Sequence, residues 1–261
     1  MHKALWVGKT GLHAQDMKLA TISNNMANAS TTGFKKDRAV FEDLIYQVQR
    51  QPGAQTTQNT QLPSGLQLGT GVRTVGTQKL FTQGDLNTTE QPLDMAINGR
   101  GFFQILMPDG NIAYTRDGTF HINAEGQVVN ASGYLLEPDV QVPDQTRTIT
   151  VGADGIVTAV ADNDNIPFEI GQIDIVDFVN PAGLQAIGGN LFLETAASGQ
   201  AQLGVPSLDG FGAIIQGALE TSNVTIVEEM VNMISTQRAY EMNSKVVSTA
   251  DQMLGFLNQN L

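Results

Sequence analysis

Residues 222–261, SNVTIVEEMVNMISTQRAYEMNSKVVSTADQMLGFLNQNL, decide the fold of this chain. Apolar side chains recur there every seven residues, and a second, less regular apolar set accompanies them. This period predicts one long helix with a coiled-coil seam; the alternative is a helix laid across its own globular domain. Thr225 and Glu228 have the spacing of a capping box, which places the start of the helix near Thr225.

A matching repeat lies at the other end of the chain and predicts a second helix, from about His2 to Asn28. Gly8 and Gly11 weaken its first turns. Residues 1–38 carry a net charge of +4 and residues 220–261 a net charge of −3, and opposite charges favour association. We therefore expect the two helices to pair. The predicted assembly seam consists of Leu5, Leu12, Leu19, Met26, Ile226, Met233, Tyr240, Val247 and Leu254.

Between the helices the pattern changes to short strands separated by turns. Asp-Gly pairs at positions 109, 117 and 154 stand between apolar runs, which is a strong hairpin signal. Strands are predicted over residues 102–107, 120–122, 127–129, 149–151 and 156–160, with a further strand pair within 170–179. The predicted class is α+β: long N- and C-terminal helices paired as a coiled coil, with an inserted antiparallel β-rich domain.

Four regions follow from these patterns. Residues 1–46 form the first helix and its connector, 47–71 an extended Gln/Thr-rich stretch, 72–216 the β-rich domain, and 217–261 the second helix. The connector is expected to pack on the helical pair. The stretch 47–71 has almost no charge, which suits either a disordered linker or a β-ribbon. As a ribbon linking subunits, its key residues would be Pro52, Gly53, Leu62, Pro63 and Gly65.

Composition narrows the possible functions. The net charge of −12 makes a nucleic-acid partner improbable, and the lack of cysteine excludes disulfides and thiolate chemistry. The acidic run at residues 162–165 opens like a calcium loop, but Pro167 and Ile173 occupy two positions that such a loop needs. We expect no catalytic residues, cofactor, metal site or small-molecule substrate. The N-terminus lacks the features of a cleaved signal peptide.

Three motifs carry a resemblance to a known family. Residues 27–35 (ANASTTGFK) resemble the N-terminal signature of bacterial flagellar rod and hook proteins. Residues 97–103 (INGRGFF) and 114–120 (YTRDGTF) are similar to the central signature. Residues 219–224 (LETSNV) and 237–241 (QRAYE) look like the C-terminal signature. The length and the Gln/Thr-rich stretch are most like those of the distal-rod members.

The resemblance implies a structural subunit, not an enzyme, that polymerises into a rigid helical tube. Such a tube transmits motor torque to the hook and forms part of the export channel, with the terminal helices as its inner wall. The implied partners are copies of the chain itself, proximal-rod subunits, hook or hook-junction subunits, the L and P rings and the rod-cap protein. The implied location is the rod that spans the periplasm, reached by type III export. The alternatives are a proximal-rod or hook subunit, or a surface adhesin or phage-tail-like fibre protein.

Overall fold

The computed structural model describes residues 2–53, 55–57, 60–61, 63–143, 145–162 and 166–259. Helix α1 spans His2–Ala27 and helix α2 spans Ile226–Gln259, close to the predicted bounds. A 3-10 turn lies at Pro181–Gly183. The strands of the described ranges are β1 (Asp37–Asp43), β2 (Tyr46–Arg50), β3 (Gln55–Thr57), β4 (Thr60–Gln61), β5 (Leu66–Gly69), β6 (Val72–Lys79), β7 (Leu86–Thr88), β8 (Met95–Asn98), β9 (Phe103–Leu106), β10 (Ile112–Thr115), β11 (Phe120–Ile122), β12 (Val128–Asn130), β13 (Leu135–Glu137), β14 (Thr146–Val151), β15 (Ile156–Ala161), β16 (Phe168–Gln172), β17 (Ile175–Asp177), β18 (Gln185–Gly188), β19 (Leu191–Leu193), β20 (Gln202–Gly204), β21 (Ala213–Gln216) and β22 (Ala218–Glu220).

The chain divides into two compact units. The helical unit contains Met1–Ala27, Asp37–Gln78 and Thr225–Leu261, and the β unit contains Asn28–Lys36 and Lys79–Val224. This grouping by contact differs from the four predicted regions, which stay a prediction about how the chain is used in an assembly.

The helical unit is built on α1 and α2, which run antiparallel. Gly8 lies against Val247 and Gly11 against Asn243, so the chain directions oppose each other. Strand β1 follows α1 and is tied to it by Asn25, whose amide donates to the Asp37 carbonyl at 2.9 Å and accepts from the Asp37 N–H at 2.8 Å. The ladders of this unit are β1–β6, β2–β5 and β3–β4.

The β unit packs its sheets around an apolar core. In the described ranges, seven strands form one sheet in the order β11-β12-β13-β9-β10-β19-β18, and β14-β15-β16 form another. Shorter pairs are β17–β20, β21–β8 and β22–β7. Phe103, Ile105 and Leu136 have no exposed surface and lie in the main core cluster. A second cluster joins Phe102, Tyr114, Phe178 and Phe192. Phe102, Phe103 and Tyr114 belong to the motifs at 97–103 and 114–120, so these motifs supply part of the core.

One expectation about chain path holds only in part, and another is wrong. Residues 37–46 of the connector belong to the helical unit as expected, whereas residues 28–36 belong to the β unit. The Gly33 N–H donates to the Glu220 carbonyl at 2.8 Å, which ties this segment to β22. The strands within 170–179 do not pair with each other: β16 pairs with β15, and β17 pairs with β20. The partner of β16 precedes the expected pair in the chain and the partner of β17 follows it, so the pattern within 170–179 shows the strands but not their partners.

Candidate functional site

The contact between α1 and α2 includes two glycines of α1, which face Val247 and Asn243 of α2. A β-carbon at Gly8 would lie 2.7 Å from Val247 Cγ2, and one at Gly11 would lie 3.2 Å from Asn243 Nδ2. The two glycines therefore let the helix backbones approach closely. The buried residues of α2 are also polar or small, and they include Glu229, Thr236 and Ala250.

The predicted seam shares Val247 with this contact and is only partly covered. Leu5, Leu12, Leu19, Met26, Met233, Val247 and Leu254 are half-buried. Ile226 and Tyr240 are 49% and 40% exposed. The apolar repeat does not contain Gly8, Gly11 or Asn243, because glycine and asparagine carry no hydrophobic signal. The seam remains a prediction about assembled copies.

An apolar stripe of α2 is left open to solvent. We call the following residues the exposed stripe; each is at least 50% exposed and they are spaced by whole helical turns: Val227, Val231, Ile234, Met242, Val246 and Met253. A cavity of about 520 Å³ lies beside it, where Ala4 of α1 faces Met242, Val246 and Met253. Burying one such side chain stabilises a contact by roughly 1.5–3 kcal/mol. A long apolar stripe of this kind marks a surface for another protein.

The Gln/Thr-rich stretch is folded as a ribbon where the structure describes it. Strands β2 and β5 pair antiparallel, with Gln47 opposite Leu68. Pro52, Gly53 and Pro63 are exposed and Gly65 is half-buried, while Leu62 lies outside the described residues. Gly53 has a φ of +78°, as a turn glycine does, and a β-carbon at Gly65 would lie 2.5 Å from the Arg50 carbonyl oxygen. Val48 and Leu66 are each 51% exposed, so the ribbon also presents apolar surface.

The β unit contains a buried cluster of three charges. Lys35 Nζ lies 2.5 Å from Glu220 Oε1, and Arg116 Nη1 lies 3.4 Å from Glu220 Oε2. The side chains of Lys35 and Glu220 have no exposed surface, and that of Arg116 is 4% exposed. The Gly84 N–H also donates to Glu220 Oε1, at 2.8 Å. A single carboxylate thus serves two cations and a backbone amide.

Burial sets the electrostatics of this charge cluster. It lowers the pKa of Lys35, and Glu220 opposes the shift through its charge and its hydrogen bond. Burial also lowers the pKa of Arg116, against the charges of Glu220 and Asp177. The cations find further acceptors: Lys35 Nζ donates to the Thr82 carbonyl at 2.8 Å, and Arg116 Nη2 to the Gly99 carbonyl at 2.8 Å. These bonds hold separate chain segments at fixed positions.

The charge cluster joins all three sequence motifs. Lys35 ends the motif at 27–35, Arg116 and Gly99 come from the two central motifs, and Glu220 comes from the motif at 219–224. The first motif is also fitted by shape, because a β-carbon at Gly33 would lie 2.7 Å from the Asp117 N atom. The motifs were visible in the sequence, but their meeting point was not. The available signal was one charged residue in each of two otherwise uncharged motifs, Lys35 in 27–35 and Glu220 in 219–224.

The chemistry of the described residues is that of packing and ion pairing. No three His, Asp or Glu side chains come together as a metal site within the described ranges. Of the calcium-like run at 162–165, residues 163–165 lie outside the described residues. No described helix is long and apolar enough to cross a membrane.

Comparison with known proteins assigns the family. Residues 5–35 match the family described as "Flagella basal body rod protein", residues 96–159 match "Flagellar hook protein FlgE/F/G D1 domain", and residues 215–260 match "Flagellar basal body rod FlgEFG protein C-terminal". A protein of Buchnera aphidicola subsp. Schizaphis graminum named "Flagellar basal-body rod protein FlgG" is 52% identical over 259 residues, which cover 99% of this chain and 100% of that protein. This chain belongs to the FlgG family of flagellar basal-body rod proteins.

Other FlgG proteins are similar over the same extent. The FlgG of Borreliella burgdorferi is 50% identical over 260 residues, covering 99% of this chain and 98% of that protein. The FlgG of Caulobacter vibrioides is 45% identical over 258 residues, covering 98% of each. Membership of the FlgG family makes this chain a structural subunit of the distal rod of the bacterial flagellum. The three motifs that meet at the charge cluster lie within or beside the three matched regions.

Proposed function

We propose that copies of this chain polymerise into a rigid helical tube, the distal rod, through the helical unit. The exposed stripe of α2 carries this proposal. In a subunit that stayed monomeric, three side chains of the stripe would remain in contact with water: Val227, Val231 and Met242, which are 71%, 61% and 67% exposed. Contacts of the head-to-tail kind, repeated without closure, give helical filaments.

In the proposed tube, α1 and α2 of each subunit form a coiled-coil layer that lines the central channel. Their antiparallel pairing through Gly8 and Gly11 gives a compact two-helix block. The seam from Leu5 to Met26 and from Ile226 to Leu254 then lies between blocks or at their edges. Torque passes along this layer to the hook, and the lumen serves export. These roles rest on family membership and on the shape of the helical unit.

The remaining partners are proposed from the family alone. They are proximal-rod subunits, hook or hook-junction subunits, the surrounding L and P rings and the rod-cap protein. We also propose that the chain reaches the periplasmic rod by type III export without removal of a signal peptide. We also propose that the chain is not an enzyme, because the matched family is one of flagellar rod proteins.

The proposal is tested with a charge placed on the exposed stripe. Met242→Lys puts an ammonium group at the centre of the stripe, and Glu241→Lys makes a similar change one position away, on an exposed residue outside it. We expect concentrated wild-type protein and Glu241→Lys to form straight tubes by electron microscopy. Met242→Lys should stay monomeric with unchanged helix content by circular dichroism. Assembly of Met242→Lys at the wild-type concentration would show that the stripe is not the contact.

A further inference from the structure

The dipeptide Asn98-Gly99 ends strand β8 in a conformation that requires the glycine. Gly99 has a φ of +121°, and a β-carbon there would lie 2.8 Å from Gly212 Cα. Strand β8 pairs with β21, with Asn98 opposite Ala213. The fold therefore places a glycine directly after an exposed asparagine and cannot exchange it for a larger residue.

An Asn-Gly dipeptide is chemically unstable in a flexible chain. The backbone nitrogen of the glycine loses its proton and attacks the side-chain carbonyl carbon of the asparagine. The new C–N bond closes a five-membered succinimide as ammonia leaves. Water then opens the ring to give aspartate or isoaspartate. Glycine favours the attack because it has no side chain to hinder it, and asparagine is for this reason a thermolabile residue.

Gln83 holds both reacting groups of this dipeptide. The Gly99 N–H donates to Gln83 Oε1 at 3.0 Å. The Gln83 amide donates in turn to Asn98 Oδ1 at 3.3 Å and to the Ile97 carbonyl at 3.3 Å. The attacking nitrogen is thus engaged as a donor, and the side chain under attack is held by its oxygen. The next peptide group is also held, because Arg116 Nη2 donates to the Gly99 carbonyl at 2.8 Å.

We propose that Asn98-Gly99 is a latent deamidation site and that Gln83 keeps it unreactive in the folded chain. We call the hydrogen bonds of Gln83 to Gly99 and Asn98 the clamp. The site stays intact while these bonds are formed and reacts when they break. Isoaspartate at position 98 would insert an extra backbone methylene beside the β8–β21 ladder and next to the carbonyl that Arg116 holds. Deamidation of Asn98 would therefore show that the local structure around the motif at 97–103 had opened.

The rate of deamidation at Asn98 tests this proposal. The full-length protein is incubated at mildly alkaline pH, and peptide mapping by mass spectrometry follows the conversion of the Asn98 amide to a carboxylate. We expect the folded wild type to react at least about tenfold more slowly than the same chain in guanidinium chloride, because reaction requires local opening. A folded wild type that deamidates as fast as the denatured chain would overturn the proposal.

Two substitutions of Gln83 separate the two arms of the clamp. Gln83→Ala removes both arms and should raise the rate in the folded protein to near that of the denatured chain. Gln83→Glu keeps an acceptor for the Gly99 N–H but loses the donor to Asn98, so its rate should fall between those of wild type and Gln83→Ala. If folded Gln83→Ala deamidates at Asn98 no faster than the folded wild type, the proposal is overturned.

A third variant controls for general loosening of the β unit. Thr221→Ala removes the hydrogen bond from Thr221 Oγ1 to the Asp85 carbonyl, 3.0 Å long, without touching the clamp. It should deamidate at Asn98 like the wild type. An acceleration as large as that of Gln83→Ala would show that any lost hydrogen bond in this unit exposes Asn98, and would remove the specific role of Gln83.

Discussion

Glu220 is a buried carboxylate that neutralises one of two buried cations. Without this carboxylate, the cations of Lys35 and Arg116 would both be buried without it as a counter-charge. The Lys35 side chain has no exposed surface and that of Arg116 is 4% exposed. The backbone carbonyls of Thr82, Ile97 and Gly99 accept hydrogen bonds from these cations but carry no net charge. The carboxylate is therefore the residue on which this meeting of motifs depends.

Glu220→Gln should destabilise the β unit strongly. The amide keeps the shape but leaves two buried cations without a counter-charge, which costs about 3–5 kcal/mol when one partner of a buried pair is lost. Urea unfolding followed by circular dichroism measures the change. The matched control is Arg100→Gln, which breaks the pair of Arg100 with Asp177 from its exposed side, the Arg100 side chain being 68% exposed, and keeps the charge of Asp177 near Arg116. This change should cost less than about 1 kcal/mol. Equal losses in the two variants would contradict the role given to burial.

Tyr114 should make the β unit sensitive to alkaline pH. Burial, with a smaller effect from the charge of Glu194, raises the pKa of the Tyr114 phenol above its ordinary value of 10.0. The unfolded chain then ionises at lower pH than the folded chain. This residue's contribution to stability is complete below pH 10.0 and is lost as the pH rises through the folded pKa. Tyr114→Phe keeps the ring that packs against Phe178, with centroids 4.8 Å apart.

The measurement is the free energy of unfolding of wild type and Tyr114→Phe across this pH range. Below pH 10.0 the difference between the two proteins should be constant. Above it, the wild type should lose stability more steeply than the variant. Parallel curves throughout would show that Tyr114 ionises alike in the folded and unfolded chains.

At the scale of elements, the two helices depend on close approach. A side chain at Gly8 has to displace Val247, since even a β-carbon would lie 2.7 Å from Cγ2. Gly8→Val should therefore destabilise the helical unit by about 1–3 kcal/mol through overpacking. Gly255→Ala, in α2, meets no atom within 4 Å and should stabilise it by about 0.5–1 kcal/mol. Trp6, the single tryptophan of the sequence, lies in α1 and reports unfolding of this unit by fluorescence. A stabilised Gly8→Val would show that α1 and α2 are not in close contact.

The ribbon of β2 and β5 should stiffen the assembled tube. Its exposed apolar residues, Val48 and Leu66 among them, offer surface to a neighbouring subunit. Deleting residues 52–66 removes the tip and leaves both helices intact. We expect the variant to assemble through its helices into curved or flexible tubes, as seen by electron microscopy. Straight, rigid tubes would show that the stretch is a spacer.

The sequence predicted the elements well and their partners poorly. Both helices carry apolar repeats, which are local patterns, and the Asp-Gly turns locate many strands for the same reason. The contact of Gly8 with Val247 and the bond from Lys35 to Glu220 join residues far apart in the chain. No periodic pattern contains such pairs. Glycine in α1 predicted a weakened helix, whereas in the structure it is also the residue that admits the partner.

At the scale of the whole molecule, the chain passes between the two units four times, after residues 27, 36, 78 and 224. The sequence alone predicts that brief proteolysis trims the chain to roughly residues 45–220. The structure moves the N-terminal limit, because residues 28–36 belong to the β unit and Lys35 is buried in it. We expect the first stable fragment to retain both Lys35 and Glu220, as mass spectrometry of a trypsin time course would show.

Trypsin has suitable targets outside that fragment. Arg238 and Lys245 are exposed on α2. Isolated helices lose stability when a partner is removed, so α1 should be digested soon after α2 is cut. A stable, folded fragment that begins after Lys35 would contradict the assignment of residues 28–36 to the β unit.

The bond from Lys35 to Glu220 spans 185 positions of the chain. A ribosome delivers the N-terminal end first, so Lys35 is made long before the carboxylate that allows it to be buried. Until then, placing Lys35 and Arg116 in the core would bury cations without a counter-ion, which is strongly unfavourable. A nascent chain is thereby kept from completing the β unit until about its last forty residues remain to be synthesised. The charge cluster therefore delays completion of the β unit until the chain is nearly whole.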